Sequence, residues 1–184
     1  KGFRWHDVDV NLVVAQYPSG LGTACNYRLL VQGAQEFILL AQGRGGTNIP
    51  LDRALDHVWG YGVCLDMTRR DLQGEAKKLG RPWEIGKAFE RSGPVGPLRP
   101  VSEVGHPDQG RIELKVNGEL RQEGDLNQMI WKVPEMISYL SEYFELAAGD
   151  VIMAGTPSGV NAIAKGDVLE AAIEGVGTLT VKVV

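Results

Sequence analysis

Two cysteines, Cys25 and Cys64, are all that the 184 residues contain, and they form no Cys-x-x-Cys pair. That scarcity argues against a disulfide framework and a structural zinc site, and it fits a reducing cytoplasm. No apolar run approaches the roughly 20 residues of a membrane span, so no membrane partner is expected. A net charge of −4 leaves no basic footprint for nucleic acid or an acidic membrane, although local charge can still hold a small anion. Signal-peptide patterning is absent, and the start at Lys1 leads us to expect a mature or trimmed terminus. Internal repeats and low-complexity segments are also lacking. What is present, 43% hydrophobic and 23% charged residues, suits one ordinary globular domain over residues 1–184 with a real core.

The N-terminal third is weakly patterned. Val8 to Val14 alternates enough for a strand, Tyr17 to Asn26 reads as a loop, and Arg28 to Gln42 has room for one or two strands. From Gly43-Arg44-Gly45-Gly46 onward the pattern sharpens. A short helix is predicted from Pro50 through Trp59, a buried strand over Tyr61–Leu65, and a helix from Thr68 or Arg69 to Lys78. A Gly- and Pro-rich loop spans Ser92 to Gly110. Asn117-Gly118 joins a strand over Arg111–Val116 to a returning strand over Glu119–Gln122, because both turn residues tolerate positive φ. Pro134 opens a helix to Phe144 whose core face is Ile137, Leu140 and Phe144. Strands at Val151–Ala154, Asp167–Ile173 and Thr178–Val183 complete an α+β chain.

Three segments offer more than packing. Asp66 stands where a strand meets a helix, and a carboxylate there suits a hard cation as well as it suits a helix cap. Arg70 and Gln73 share a face of that helix and could bind a carboxylate, or could simply be solvated. Lys87, in Trp83-Glu84-Ile85-Gly86-Lys87-Ala88-Phe89, could act as an acid, a base or an oxyanion donor, or could snorkel at the surface. Gly155-Thr156-Pro157-Ser158-Gly159 follows an apolar strand and offers a hydroxyl and backbone N–H groups to an oxyanion, or is a bare turn.

Taken in order, these segments and several others resemble the fumarylacetoacetate hydrolase family. Trp59-Gly60-Tyr61, Asp66-Met67-Thr68 with Arg70-Asp71 and Gln73, and Gly86-Lys87-Ala88-Phe89 come first. Lys115-Val116-Asn117-Gly118 with Arg121-Gln122, Gly149-Asp150-Val151-Ile152, Gly155-Thr156-Pro157 and Gly166-Asp167 follow. The likeness runs from about Ile49 to Val184, with residues 1–48 poorly matched. Arg81-Pro82-Trp83 and Asp125 to Trp131 resemble the fumarylpyruvate hydrolase and acylpyruvase branch.

The resemblance implies a mixed β-sheet roll with a few short helices. It also implies a metal-dependent hydrolase that cleaves a C–C bond in a 2,4-dioxo acid such as fumarylpyruvate, in aromatic-compound catabolism. The alternatives are an oxaloacetate decarboxylase or isomerase of the same family, or a non-catalytic paralogue with a degraded metal site. Lys87 and Thr156 take the catalytic positions, Arg70, Gln73 and Gly155 the substrate positions, and Asp66 that of a ligand for Mg²⁺ or Mn²⁺. A cytoplasmic homodimer acting on a small dioxo acid is the expected setting. The family's Glu-x-Glu ligand strand should precede Gly43. An ungapped register puts Gln35 and Phe37 at those positions, whereas a one-residue gap makes Glu36 a ligand and leaves Ala34 at the other. Either way one or both carboxylates are lost, and the expectation is weak or absent metal binding, since Mg²⁺ requires oxygen ligands that a ring or a methyl group does not supply.

Overall fold

The structure, a computed structural model, describes residues 43–184 in full, and before them three strands by backbone pairing alone. The expected loop at Tyr17–Asn26, Cys25 and the expected ligand Glu36 lie outside the described residues. In chain order the strands are β1 (Val8–Val13), β2 (Leu29–Leu30), β3 (Phe37–Gln42), β4 (Val58–Met67) and β5 (Arg99–Pro100), then β6 (Arg111–Val116), β7 (Glu119–Asp125), β8 (Val151–Ala154), β9 (Val168–Ile173) and β10 (Gly177–Lys182). The helices are α1 (Arg70–Lys78), α2 (Glu84–Lys87), α3 (Val101–Val104) and α4 (Val133–Tyr143). One mixed and one antiparallel sheet with a few short helices agree with the expected α+β class.

One sheet has the order β2-β8-β3-β1-β4-β5, and β3 also pairs directly with β4. β3 runs antiparallel to β4, with Leu40 opposite Tyr61, and antiparallel to β8, with Phe37 opposite Ala154. β4 and β8 therefore point the same way, and both finish at the end of the sheet where β3 begins. β1 enters at that end, antiparallel to β4, with Asp9 in register with Asp66, and parallel to β3 at Leu12 and Ile38. This topology carries the segments that hold Asp66 and Thr156 to one end of the sheet, with β1 and β3 between them.

The second sheet, β10-β9-β6-β7, is wholly antiparallel. Its alternation is that of a half-buried sheet: Ile112, Leu114 and Val116 face inward opposite Ile173, Ala171 and Leu169. The Asn117-Gly118 hairpin forms as expected, with φ of 53° and 81°. Asn117 then ties it to β9, since its Nδ2 donates to Asp167 Oδ1 at 2.8 Å and its Oδ1 accepts from Val168 N at 2.9 Å.

Several boundaries differ from expectation for local reasons. The helix expected over Pro50–Trp59 is a 3-10 helix, Leu51–His57, and β4 starts at Val58. Gly60 pairs with Pro100, and a Cβ there would run into the Arg99 carbonyl, so this stretch must be an extended backbone in close contact with β5. β4 also continues past Leu65, because β1 pairs with it as far as Met67 on one side and, on the other, Leu65 N and Met67 N donate to Pro94 O and Ser92 O at 3.0 and 2.7 Å. Part of the expected Ser92–Gly110 loop is thus an edge along β4, and it also contains β5 and α3. β7 runs on to Asp125 rather than ending at Gln122. In α4, Ile137 and Leu140 are buried as expected, but Phe144 is 39% exposed. Its extended φ and ψ of −132° and 140° take it off the helical period. Ser141 and Ser138 staple α4 to Ile49: Ile49 N donates to Ser141 Oγ at 2.8 Å, and Ser138 Oγ donates to Ile49 O at 2.9 Å.

Candidate functional site

At the end of β4 the chain turns into α1, and the turn is held from outside by α2. Arg69 N donates to Gly86 O at 2.9 Å. A Cβ on Gly86 would lie 3.0 Å from Gln73 N and 3.1 Å from Gln73 Cβ, so α2 approaches α1 this closely because residue 86 has no side chain. The Arg69 guanidinium covers the Phe89 ring at 4.2 Å, closing the same corner.

That packing delivers Lys87. Its Nζ donates to Asp66 Oδ2 at 2.6 Å and to Thr68 Oγ1 at 2.7 Å, with only 14% and 10% of the Lys87 and Asp66 side chains exposed. Lys87 is therefore no snorkelling surface lysine, and Asp66 is no simple helix cap: no side-chain cap bond forms at the start of α1. Burial pushes the Asp66 carboxyl above its usual range, while the Lys87 charge and hydrogen bond and the Arg70 charge pull it back only in part. At the start of α1, Arg70 Nη1 donates to Gln73 Oε1 at 2.9 Å, so the two residues expected to share a face do meet.

Thr156 sits in a second cluster. The loop after β8 is pressed across β7: a Cβ on Gly124 would lie 2.9 Å from Pro157 Cβ, and a Cβ on Gly159 would run into the Arg121 carbonyl. Gln122, buried on β7, donates from Nε2 to Thr156 Oγ1 at 2.9 Å and to Pro157 O at 2.8 Å. A cavity of about 70 Å³ opens beside this loop, with Gly155, Thr156 and Pro157 on one wall and Ile112, Met129 and Gln128 among the others. Gln122 was legible only as part of a motif; nothing in its flanking residues marks it as a partner of Thr156, 34 positions away.

Each of these contacts links a pair or a triad, and none of them joins Lys87 to Thr156. Two histidines lie elsewhere: His57 Nδ1 donates to Arg44 O at 2.9 Å, and His106 Nδ1 shares a 2.7 Å hydrogen bond with Tyr61 Oη. Among the described residues no group of three or more His, Cys, Asp and Glu side chains could hold a metal ion. Asp66 alone stands in the expected ligand position, with Lys87 already on its Oδ2. The described residues by themselves do not fit a divalent cation, and any further ligands must come from outside them. No helix among the described residues is long and apolar enough to cross a membrane.

Residues 38–184 match the family described as fumarylacetoacetate (FAA) hydrolase C-terminal. The chain is 48% identical over 141 residues to the mitochondrial oxaloacetate tautomerase FAHD1 of Rattus norvegicus, which covers 77% of this chain and 64% of that protein. A fumarylpyruvate hydrolase from Pseudomonas aeruginosa, solved in complex with Mn²⁺ and pyruvate, superimposes with a TM-score of 0.82 at 46% identity, over 98% of this chain and 66% of that one. A 5-carboxymethyl-2-hydroxymuconate delta-isomerase from Mycobacterium smegmatis gives 0.76 at 26% identity, over 98% and 59%. The chain thus spans less than two thirds of the length of the tautomerase it matches.

Proposed function

The chain belongs to the fumarylacetoacetate hydrolase family, and from that premise we propose that it turns over a small 2-oxo acid through its enolate. The observation that carries this reading is the Lys87 ammonium held between Asp66 and Thr68 in a nearly buried corner. A fixed, dry cation stabilises a developing oxyanion far better than one in water. Arg70, braced by Gln73, binds the substrate carboxylate. Lys87 and Thr156 converge on the oxygen that becomes the enolate, and the Gly155 backbone lines the same position. Asp66 holds Lys87 in place and, at the family's ligand position, contributes to divalent-metal binding. A bound metal would add Lewis-acid polarisation of the substrate oxygens.

Within this class we place hydrolysis of an acylpyruvate first, with fumarylpyruvate as the representative substrate. Water adds to the distal carbonyl, the C–C bond breaks, and the electron pair passes to the enolate of pyruvate, which is then protonated on carbon. Asp125 to Trp131 and the likeness to the Pseudomonas aeruginosa hydrolase favour it. Oxaloacetate tautomerisation is the second reading, favoured by the 48% identity to the rat tautomerase; it needs the same enolate and no water. The proposed setting is a single domain forming a homodimer in the cytoplasm, in aromatic-compound catabolism; cell fractionation tests the compartment against the mitochondrial location in the rat relative's name.

The test is direct. The purified chain is given fumarylpyruvate or oxaloacetate, with and without Mg²⁺ or Mn²⁺. Pyruvate release from fumarylpyruvate is the expected result. Enol–keto interconversion of oxaloacetate without that release would move the second reading to first place. Inactivity on both would make the chain a non-catalytic paralogue. Metal titration beside the Gln35→Glu/Phe37→Glu variant separates the ligand registers: weak binding that the double change strengthens supports the ungapped one, and tight binding by the unaltered chain points to Glu36 or another acid.

A further inference from the structure

Gln122 has no role in the reaction outlined above, yet its amide makes two hydrogen bonds whose direction is fixed. Pro157 O carries no proton and can only accept, so the Gln122 atom 2.8 Å from it is the NH₂ nitrogen. The same nitrogen lies 2.9 Å from Thr156 Oγ1 and spends its second proton there. Flipping the amide would set Oε1 against the Pro157 carbonyl, oxygen to oxygen. Thr156 Oγ1 therefore accepts from Gln122, and its own proton must point away. Among the described residues no acceptor takes that proton, and Thr156 lines the cavity beside the loop.

We infer that Gln122 is a positioning residue that turns the Thr156 hydroxyl into a one-way donor toward a substrate oxygen in that cavity. An unconstrained threonine rotor samples donor and acceptor orientations and must be reorganised when charge develops. A rotor whose lone pair is already engaged presents its proton in advance, which is the condition for strong oxyanion stabilisation. The hold does not slacken easily, because Gly124 and Gly159 allow the 155–159 loop to sit in backbone contact with β7. The inference rests on the reading that Thr156 touches substrate.

The experiment compares Thr156→Val, Gln122→Glu, Gln122→Met and the double variant Gln122→Glu/Thr156→Val in the full chain. It follows kcat and KM on fumarylpyruvate and oxaloacetate, together with the unfolding midpoint. Glutamate is nearly isosteric but accepts where glutamine donates, so it draws the Thr156 proton back. Thr156→Val and Gln122→Glu should each lower kcat by about a hundredfold with KM nearly unchanged. The double variant should be no worse than either single one, and Gln122→Met, which frees the rotor without reversing it, should fall between. Retention of kcat within about threefold in both Gln122 variants, while Thr156→Val loses it, would assign Gln122 a purely structural role and overturn the inference. Full activity in Thr156→Val, or no turnover by the unaltered chain, overturns the underlying reading and the inference with it. Side-chain amide exchange in the unaltered protein supplies a check that needs no variant to fold: both Gln122 Nε2 protons should be protected, and rapid exchange overturns the inference.

Discussion

Two candidate site residues stand at one end of the same sheet, and they are held in place by opposite physics. Lys87 is fixed by charge, against a carboxylate whose burial raises its proton affinity. Thr156 is fixed by a neutral amide on β7. The ionic arrangement gives a strong field and carries a desolvation cost, because two charges leave water for one 2.6 Å contact. The neutral one gives a weaker field at little cost, and gains its precision from hydrogen-bond direction and from a loop packed tightly on a strand. In the proposed site the first arm would bind charge and the second would set geometry.

The largest expected effect comes from breaking the ionic arm. Lys87→Met should lower kcat by about a hundred- to a thousandfold and cost roughly 3–5 kcal/mol of stability, since Asp66 stays buried without its partner. Adding Asp66→Asn should return most of the stability, read from denaturant midpoints, and none of the turnover. Recovery of turnover in that double variant would show that Lys87 serves the fold and not the reaction.

Thr156→Val tests the neutral arm on the same two axes. A comparable loss of turnover should come with only about 1–3 kcal/mol of destabilisation, the cost of leaving one buried amide proton unpaired. A stability loss as large as that of Lys87→Met would erase the contrast between the two arms.

Gly86→Ala sharpens the comparison by moving Lys87 without touching its charge. The added Cβ must displace Gln73 by a few tenths of an ångström. A full 1 Å misplacement costs about a hundredfold in rate, so a loss of roughly tenfold is expected in steady-state kinetics, with about 1–3 kcal/mol of overpacking strain. Unchanged kinetics would mean that Lys87 does not depend on the α1–α2 contact.

The smallest effect concerns pH, and it compares two aspartates. Asp167 accepts from Ala164 N and Asn117 Nδ2 at 2.7 and 2.8 Å, bonds that hold its carboxyl below the usual range. Stability tied to Asp167 is thus present above the ordinary carboxylate value and lost as pH falls through the lowered one. Asp66 has the opposite sign: the stability linked to it is present below the ordinary value and lost as pH rises through the raised one. Unfolding midpoints of Asp167→Asn and Asp66→Asn measured across acid pH should diverge from the unaltered chain in opposite directions. Parallel curves would contradict the assignment of burial as the dominant influence on Asp66.

How much of this was legible in the sequence depended on the range of the cause. The Asn117-Gly118 hairpin, the alternation of Ile112, Leu114 and Val116, and the α4 face at Ile137 and Leu140 follow from local periods and turn chemistry, and each appears as expected. Asp66, Arg70 with Gln73, Lys87 and Thr156 could be marked as candidates because a charge or a glycine-flanked hydroxyl at an element boundary is locally conspicuous. The extent of β4 was not legible, since its last residues are strand because β1 pairs with them on one side, with Asp9 opposite Asp66 and Val8 opposite Met67, and Ser92 and Pro94 return on the other. Phe144 misled the helical reading because one residue beyond α4 the backbone is already extended.

The sequence by itself therefore determined the element types, the second sheet's inward face and the short roster of chemically useful side chains. These depend on residues within a few positions of one another. The tertiary structure alone decided which of them meet: Lys87 with Asp66 across 21 positions, and Gln122 with Thr156 across 34. Hydrogen bonds and ion pairs act over about 3 Å and carry no mark of chain separation, so neither pairing has a local signature. Both became visible only once α2 was packed on α1 through Gly86 and the loop after β8 was laid across Gly124.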